Sequence, residues 1–381
     1  MTTNEELIIL VNYLFHDNPR RIWDLINRFS SLEDFKKGLL DYLVLKKAKN
    51  IEKTRQKLTE FDFTAFNNSL NKNCISTLFF HSNEYPSLLK QIPAPPPVLY
   101  FQGQLQHLSG ELFAVVGPRA VSEYGEAVTS ELTKELLGYF TIVSGMAGGV
   151  DTIAHSTALY YNKPTIAVVG TGLDMVYPSS NKNLHKNIIA NGLVLSEYPP
   201  CVEPLAYNFP QRNRIISGIS KGVLVTEGNL NSGALITARL AADQNREVFA
   251  VPGPIFSKNS CGVHKIIQEG AKLVHNIEDI LSEFNYLIKP RKGVQQLKSI
   301  EVPQLNFSSA AQNIQSFSLS EDEKKVLDAL SQNPQNIDDI VSNTNLSIHQ
   351  VLQYLSFFEI NEIVEQLPGK FFQLKNTYLH K

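Results

Sequence analysis

Through residues 1–75 the apolar side chains recur at helical spacing, with Ile22, Ile26 and Phe29 on one stripe and glycine and proline almost absent. The pattern predicts helices over Glu5–Phe15, Arg20–Arg28, Leu32–Leu45 and near Ile51–Leu58, a helical N-terminal domain. Residues 76–109 hold Pro86, Pro93 and the triplet Pro95–Pro97, which exclude a helix interior or a central strand. This stretch reads as a connector ending in one short strand, Val98–Phe101. From 110 to 288 the texture changes. Leu112–Val116 precedes Gly125–Leu137, Phe140–Ser144 precedes Asp151–Tyr161, and Thr165–Val169 precedes Asn181–Ala190. Gly192–Glu197, Asn213–Ile219, Gly222–Thr226, Gly233–Gln244, Glu247–Val251, His264–Gln268 and Lys272–Val274 complete the series. Apolar strands alternating with helices across glycine-containing turns predict an α/β fold with an open parallel sheet.

Residues 289–314 are polar and aperiodic, as a flexible linker would be. In residues 315–381, Ser320 and Glu323 have capping-box spacing for a helix to about Ser331. Ile337–Ser342 and Ser347–Phe358 follow, and Pro368-Gly369 inside Ile363–Gln373 suggests a wing. Three helices and a hairpin predict a C-terminal winged helix.

Composition narrows the function classes. The chain has 381 residues, 43% hydrophobic, which at roughly 150 residues per domain suits two or three domains. Thirty-five basic against 37 acidic side chains leave a formal charge of -2, excluding a globally basic nucleic-acid binder but not a local basic patch. Cys74, Cys201 and Cys261 are scattered and form no CxxC or Cys/His cluster, so neither a disulfide framework nor a metal site is expected. Glu5 and Glu6 stand before the apolar stretch Leu7–Phe15, where a signal peptide would carry Lys or Arg. No run approaches the ~18 apolar residues of a membrane span. A soluble, cytoplasmic protein is the expectation.

In open α/β sheets ligands bind beyond the carboxyl ends of the strands. Three strand-to-helix loops there are rich in glycine: Gly117-Pro118-Arg119 with Ser122, then Ser144-Gly145-Met146-Ala147-Gly148-Gly149, then Gly170-Thr171-Gly172. Such loops let backbone N–H groups approach an anion. None is a GxGxxG fingerprint or a Walker A loop, so a phosphate site is suggested and a dinucleotide or nucleoside triphosphate site is not. Each loop could equally be a tight turn.

Arg119 follows a strand end directly. From Leu205 through Gly222 there are three cations (Arg212, Arg214 and Lys221), no acid, and an aromatic, Phe209. That composition suits a single-strand nucleic-acid groove, with guanidinium groups on phosphates and a ring on a base. The competing possibility is that Arg212 and Arg214 are buried in ion pairs with Glu197 and Glu227. Asp151 and His155 share a helix face, but no G-x-S-x-G accompanies them. A helix-capping Asp151 and a hydrogen-bonded packing His155 are expected. The third helix of the winged module has no Lys or Arg, and the module carries 5 basic to 9 acidic residues. A protein contact suits it better than groove reading.

The ordered motifs Gly117-Pro118-Arg119, Ser144-Gly145-Met146-Ala147, Ala154-His155, Tyr177-Pro178, Leu195-Ser196-Glu197-Tyr198-Pro199-Pro200, Phe209-Pro210-x-Arg212-Asn213-Arg214, Ser232-Gly233-Ala234-Leu235-Ile236-Thr237-Ala238 and Val248-Phe249-Ala250-Val251-Pro252-Gly253 resemble the DprA/Smf (DNA processing protein A) family. The resemblance implies an extended Rossmann-like core, with a helical (SAM/HhH-like) N-terminal domain and a winged helix as companions. It implies a homodimer without catalysis or cofactor. Such a protein binds single-stranded DNA, protects it during natural transformation and loads the RecA recombinase. Carried over, Arg119, Phe209, Arg212, Asn213 and Arg214 would face the DNA, with Ser122, Ser144, Gly145, Lys182 and Lys221 as further contacts. The sequence departs from the family pattern at Pro118, usually Ser, at Gly148, often basic, and at His264, usually Asn. The alternative is a nucleotide phosphoribohydrolase of the related Rossmann-like class with Glu227 as acid/base residue, whose Pro-Gly-Gly-x-Gly-Thr-x-x-Glu signature is missing.

Overall fold

A computed structural model describes residues 3–48, 50–284, 321–330, 335–344, 346–360, 363–367 and 371–374. The expected linker, Ser320 and the Pro368-Gly369 turn lie outside the described residues. The chain divides into two compact units, Met1–Lys292 and Gly293–Lys381.

The first unit begins with five helices: α1 (Thr3–Phe15), α2 (Pro19–Arg28), α3 (Leu32–Leu45), α4 (Ile51–Glu60) and α5 (Phe63–Lys72). Local chemistry sets their starts. Asn18, Ser31 and Asp62 each accept a backbone N–H of the first turn, and Pro19 opens α2 where its missing N–H costs nothing. The fifth helix goes unforeseen by the pattern of apolar residues alone, since Asp62 restarts the chain after only a two-residue break. Leu10, Leu25, Phe35 and Leu39 form the core of this layer. It also packs on the sheet: Ile8 and Ile9 join a cluster with Tyr100 and Val194. Asn12 Nδ2 donates to the Glu197 carbonyl at 3.2 Å, and Tyr100 Oη donates to Asn12 Oδ1 at 3.0 Å.

The strands are β1 (Ser76–Phe79), β2 (Val98–Gly103), β3 (Leu112–Val116), β4 (Thr141–Ser144), β5 (Thr165–Val168), β6 (Leu193–Ser196), β7 (Gly222–Val225), β8 (Glu247–Ala250) and β9 (Lys272–Leu273). One nine-stranded sheet contains them in the order β1-β2-β6-β5-β4-β3-β7-β8-β9. β3 to β9 are parallel, whereas β2 runs antiparallel to β6, and β1 antiparallel to β2. The sheet is therefore mixed, and the connector supplies two strands at one side of it rather than one, with β1 at the edge. Its prolines sit in the link between them, together with the one-turn α6 (Ser87–Lys90).

Helices α7 (Glu123–Leu136) and α8 (Val150–Tyr160) cover one face, where Phe113 and Val115 meet Leu132, Leu136, Val150 and Ala154. α9 (Lys182–Asn191) packs Ile188 on Ala167. α10 (Asn208–Ile219), α11 (Gly233–Asp243) and α12 (Cys261–Gln268) take the other face, where Leu112, Ala114 and Val116 meet Ile215, Ile216, Leu235 and Val263. Residues of β3 thus alternate between two cores, the period of two that a strand buried on both faces requires. α13 (Ile277–Leu281) closes the unit. α10 starts five residues before the expected Asn213, because Pro210 occupies its first turn, where no intrahelical N–H is needed.

The second unit holds α14 (Glu321–Ala329), β10 (Gln335–Asn336), α15 (Ile337–Thr344), α16 (Ile348–Ile360), β11 (Val364–Leu367) and β12 (Phe371–Leu374). Its strands pair in the order β10-β12-β11 around Val326, Ile340, Val351, Leu355 and Phe358. This is a winged helix. Among the described residues no helix is long and apolar enough to cross a membrane.

His155, fully buried on α8, meets Thr165 Oγ1 of β5 through Nδ1 at 2.7 Å. The threonine hydroxyl donates to the Ile142 carbonyl, so the histidine must be the donor at Nδ1. Burial, assisted by the Arg212 charge, holds its pKa down to about 3 against an ordinary 6.5. A depressed histidine contributes stability that is complete above the unfolded value and is lost as pH falls below it. Between pH 6.5 and 5 the loss should be about 2 kcal/mol. Unfolding of His155→Asn, which keeps the donor and cannot titrate, should lack this component.

Candidate functional site

Strand order reverses at β3: β4, β5 and β6 lie to one side, β7, β8 and β9 to the other. The loops beyond β3 and β7 diverge there and leave a crevice at their carboxyl ends. Two cavities occupy it, of about 220 and 450 Å³, and they share Arg119, Ala147, Phe209 and Arg212 as walls. They are two lobes of one cleft. Gly145, Gly148, Gly170, Tyr177 and Ser180 line the smaller lobe. Asn229, Asn231, Ser232, Gly233, Thr237 and Asn259 line the larger.

Its floor is a buried guanidinium. Arg212, 4% exposed on α10, donates through Nη1 to the carbonyls of Gly145 and Val168, tying the ends of β4 and β5 to the helix. Nε donates to Asn213 Oδ1 at 3.1 Å, and Asn213 Nδ2 in turn donates to the Gly233 carbonyl at 3.4 Å, linking α10 to α11. A Cβ at position 145 would stand 2.7 Å from both Arg212 Nη2 and Asp151 Oδ2, so only glycine leaves room for the charged pair. Burial raises the Asp151 carboxyl and lowers the Arg212 guanidinium, and the charge of each opposes the shift of the other. Asp151 accepts the Ala147 N–H at 3.1 Å. It therefore holds the loop before α8 rather than capping the helix, whose N-cap is Gly149.

Above this floor the groups are open. Arg119 is exposed, with its guanidinium carbon 5.7 Å from the Phe209 ring centroid. Phe209 is half-buried and lies 5.4 Å from Tyr177 at an interplanar angle of 40°. Gly149, at φ +75°, lets the loop of β3 rest on the start of α8, where Val150 N–H reaches the Pro118 carbonyl at 3.2 Å. Nothing lies within 4 Å of a Cβ placed on Gly148, so that position opens into the cleft.

Several residues expected at the site lie elsewhere. Ser144 is fully buried, its hydroxyl donating to the Val115 carbonyl at 2.6 Å. Ser122 caps α7: its hydroxyl donates to Glu227 Oε1 at 2.5 Å and accepts from Gly125 N–H at 3.1 Å, while its own N–H donates to Glu227 Oε2 at 3.0 Å. Those bonds employ the very carboxylate named for acid/base chemistry. Arg214 stands about 200° round α10 from Arg212 and forms a buried ion pair with Glu197. Lys221 sits at the amino ends of the strands, bonded to the Leu112 carbonyl and paired with Glu111. Lys182 is exposed at the start of α9 and outside both lobes. Arg119, Gly145, Phe209, Arg212 and Asn213 do converge. The asparagines of the larger lobe escape a reading of the sequence, because only strand order brings the loops after β7 and β8 to that of β3.

Similarity to known proteins agrees with this geometry. The model of the DNA recombination-mediator protein A family matches residues 76–285, more than half of the 381. The chain belongs to that family. The DprA winged helix model matches residues 310–370. Protein Smf of Synechocystis sp. is 38% identical over 311 residues, 76% of this chain and 78% of that one. DNA processing protein DprA of Streptococcus pneumoniae is 46% identical over 202 residues, 53% of this chain and 72% of that one. The X-ray structure of the latter protein matches with TM-score 0.64 at 36% identity, covering 74% of this chain and 98% of that chain. A Helicobacter pylori family member, solved for its single-stranded DNA binding mode, matches with TM-score 0.51 at 32% identity, covering 55% of this chain and 95% of that chain.

Arg214 and Arg119 should behave oppositely on substitution. Arg214→Ala strands Glu197 in the core and should lower unfolding free energy by about 3–5 kcal/mol. Arg119→Ala should stay within about 0.5 kcal/mol of the parent. Urea unfolding of the two variants checks the contrast.

Proposed function

We propose that this recombination mediator binds single-stranded DNA in the cleft at the carboxyl ends of its sheet, protects the strand and delivers it to the RecA recombinase, working as a homodimer and without catalysis. One observation carries the reading: an exposed guanidinium, Arg119, and a half-buried ring, Phe209, stand together over the buried guanidinium of Arg212. A guanidinium suits a phosphate and a ring suits a base, which favours an unpaired strand, whose bases are free to stack. The Helicobacter pylori relative, solved for its single-stranded DNA binding mode, supports the ligand class. The RecA part rests on the family's mediator role, and the homodimer on the resemblance to that family alone. Arg212, Asn213 and Gly145 form the supporting layer, and Arg214, Ser122, Ser144 and Lys221 are left out of the interface. The non-catalytic part is supported by the structural employment of Glu227, Asp151 and His155.

Fluorescence anisotropy with a labelled thymidylate oligomer tests the cleft. Phe209→Ala should weaken binding by roughly 5- to 150-fold, the range of one lost stacking contact. Arg119→Ala should weaken binding too and flatten the salt dependence by about 0.7 log units per log unit of salt. Equal affinity for duplex and single strand would refute the reading. RecA filament formation on strands coated by the protein tests delivery.

Gly148→Lys should act in the reverse direction. It restores a cation where the backbone has room for one, and should tighten binding and steepen the same salt slope by about 0.7.

A further inference from the structure

The loop after β8, residues 252–260, is tied down at its base and bare at its tip. Tyr124 Oη donates to the Pro252 carbonyl at 2.7 Å, and His264 Nε2 donates to the Gly253 carbonyl at 2.9 Å. A carbonyl can only accept, so the proton of His264 sits on Nε2. At the other end the Asn259 carbonyl accepts the Gly228 N–H at 2.6 Å, and Asn259 Nδ2 donates to the Ala120 carbonyl at 3.1 Å. Between these braces Ile255 is 73% and Phe256 95% exposed. Lys258 is exposed and has no carboxylate partner among the described residues.

The position of the loop gives this tip its meaning. Asn259 lines the larger lobe of the cleft beside Arg119 and Phe209, and the tip, residues 255–258, joins it directly in the chain on the β8 side. The loop carries one cation and no acid, and its aromatic is the most exposed large apolar side chain among the described residues. An aromatic next to a cation, on a base held by four hydrogen bonds, repeats the chemistry of Phe209 and Arg119. It also loses little conformational freedom when it is occupied.

We propose that Phe256 and Lys258 form a second nucleotide subsite, in which the ring stacks on a base and the ammonium binds a phosphate of a strand leaving the larger lobe past Asn259. The proposal rests on the cleft being a single-strand DNA site and adds the direction in which the strand continues.

Anisotropy of the full chain with a labelled thymidylate dodecamer tests it. Phe256→Ala should weaken binding roughly five- to tenfold, within the range for one stacked base. Lys258→Gln should weaken it less and lower the salt slope by about 0.7. Phe256→Trp should keep the affinity, and its fluorescence should be quenched on adding the dodecamer, with Trp23, the single tryptophan of the parent, as the background. Both side chains are exposed, so melting temperatures should not move. Unchanged affinity in Phe256→Ala and Lys258→Gln, with Arg119→Ala still weakened, overturns the subsite and leaves the cleft standing. Unchanged affinity in all three overturns both. A Phe256→Ala variant that binds the dodecamer normally but sediments as a smaller species makes the tip a protein contact and likewise overturns the proposal.

Discussion

The buried guanidinium of Arg212 is the contact on which the site depends. It bonds two backbone carbonyls, one beyond β4 and one at the end of β5, and through Asn213 it reaches the start of α11. A cation so deep is tolerable only because carbonyl dipoles and the Asp151 carboxylate surround it. In return it fixes the ends of β4 and β5 and the start of α11 in one arrangement beneath the exposed groups. Gly145 is the sequence's concession to that arrangement, since any side chain would displace the pair.

The cations of the α10 segment therefore do different work. Arg212 is structural and electrostatic, Arg214 holds Glu197, and Lys221 closes the far end of the sheet on Glu111. Arg119, from another loop, is the one that faces solvent across Phe209. Few cations are thus exposed in the walls of the cleft, in keeping with a chain whose total charge is -2. Tyr177 comes from the loop after β5 and Phe209 from the first turn of α10, and they meet only because that helix starts early enough to carry Phe209 to the mouth.

Much of the architecture was legible because buried strands and helices leave strong periodic traces. The run Leu112–Val116 could hardly be anything but a central strand, and its glycine-containing exit marked the side on which the cleft opens. Arg119 and Phe209 were legible for the same reason: one follows a strand end and the other sits in a segment free of acids. Helical phase was not. Arg212 and Arg214 look alike in sequence, and only the true start of α10 and the place of Glu197 separate them. Ser122 and Ser144 misled because a hydroxyl beside a glycine loop serves a helix cap or a neighbouring carbonyl as readily as a ligand. The edge hairpin of β1 and β2 was half hidden, since four residues of strand before a proline-rich link carry too little pattern to register.

Glu197 joins parts of the chain that the sequence keeps apart. Its carbonyl receives Asn12 of the first helix, and its carboxylate receives Arg214 of α10, the helix that also presents Phe209 and Arg212. The N-terminal helices are consequently a buttress of the cleft and not an appendage to it. Removing them would withdraw support from the helix that forms its wall. The core is less portable than its boundaries suggest, and any exchange of N-terminal regions between relatives has to keep the asparagine matched to Tyr100, the side chain that donates to it.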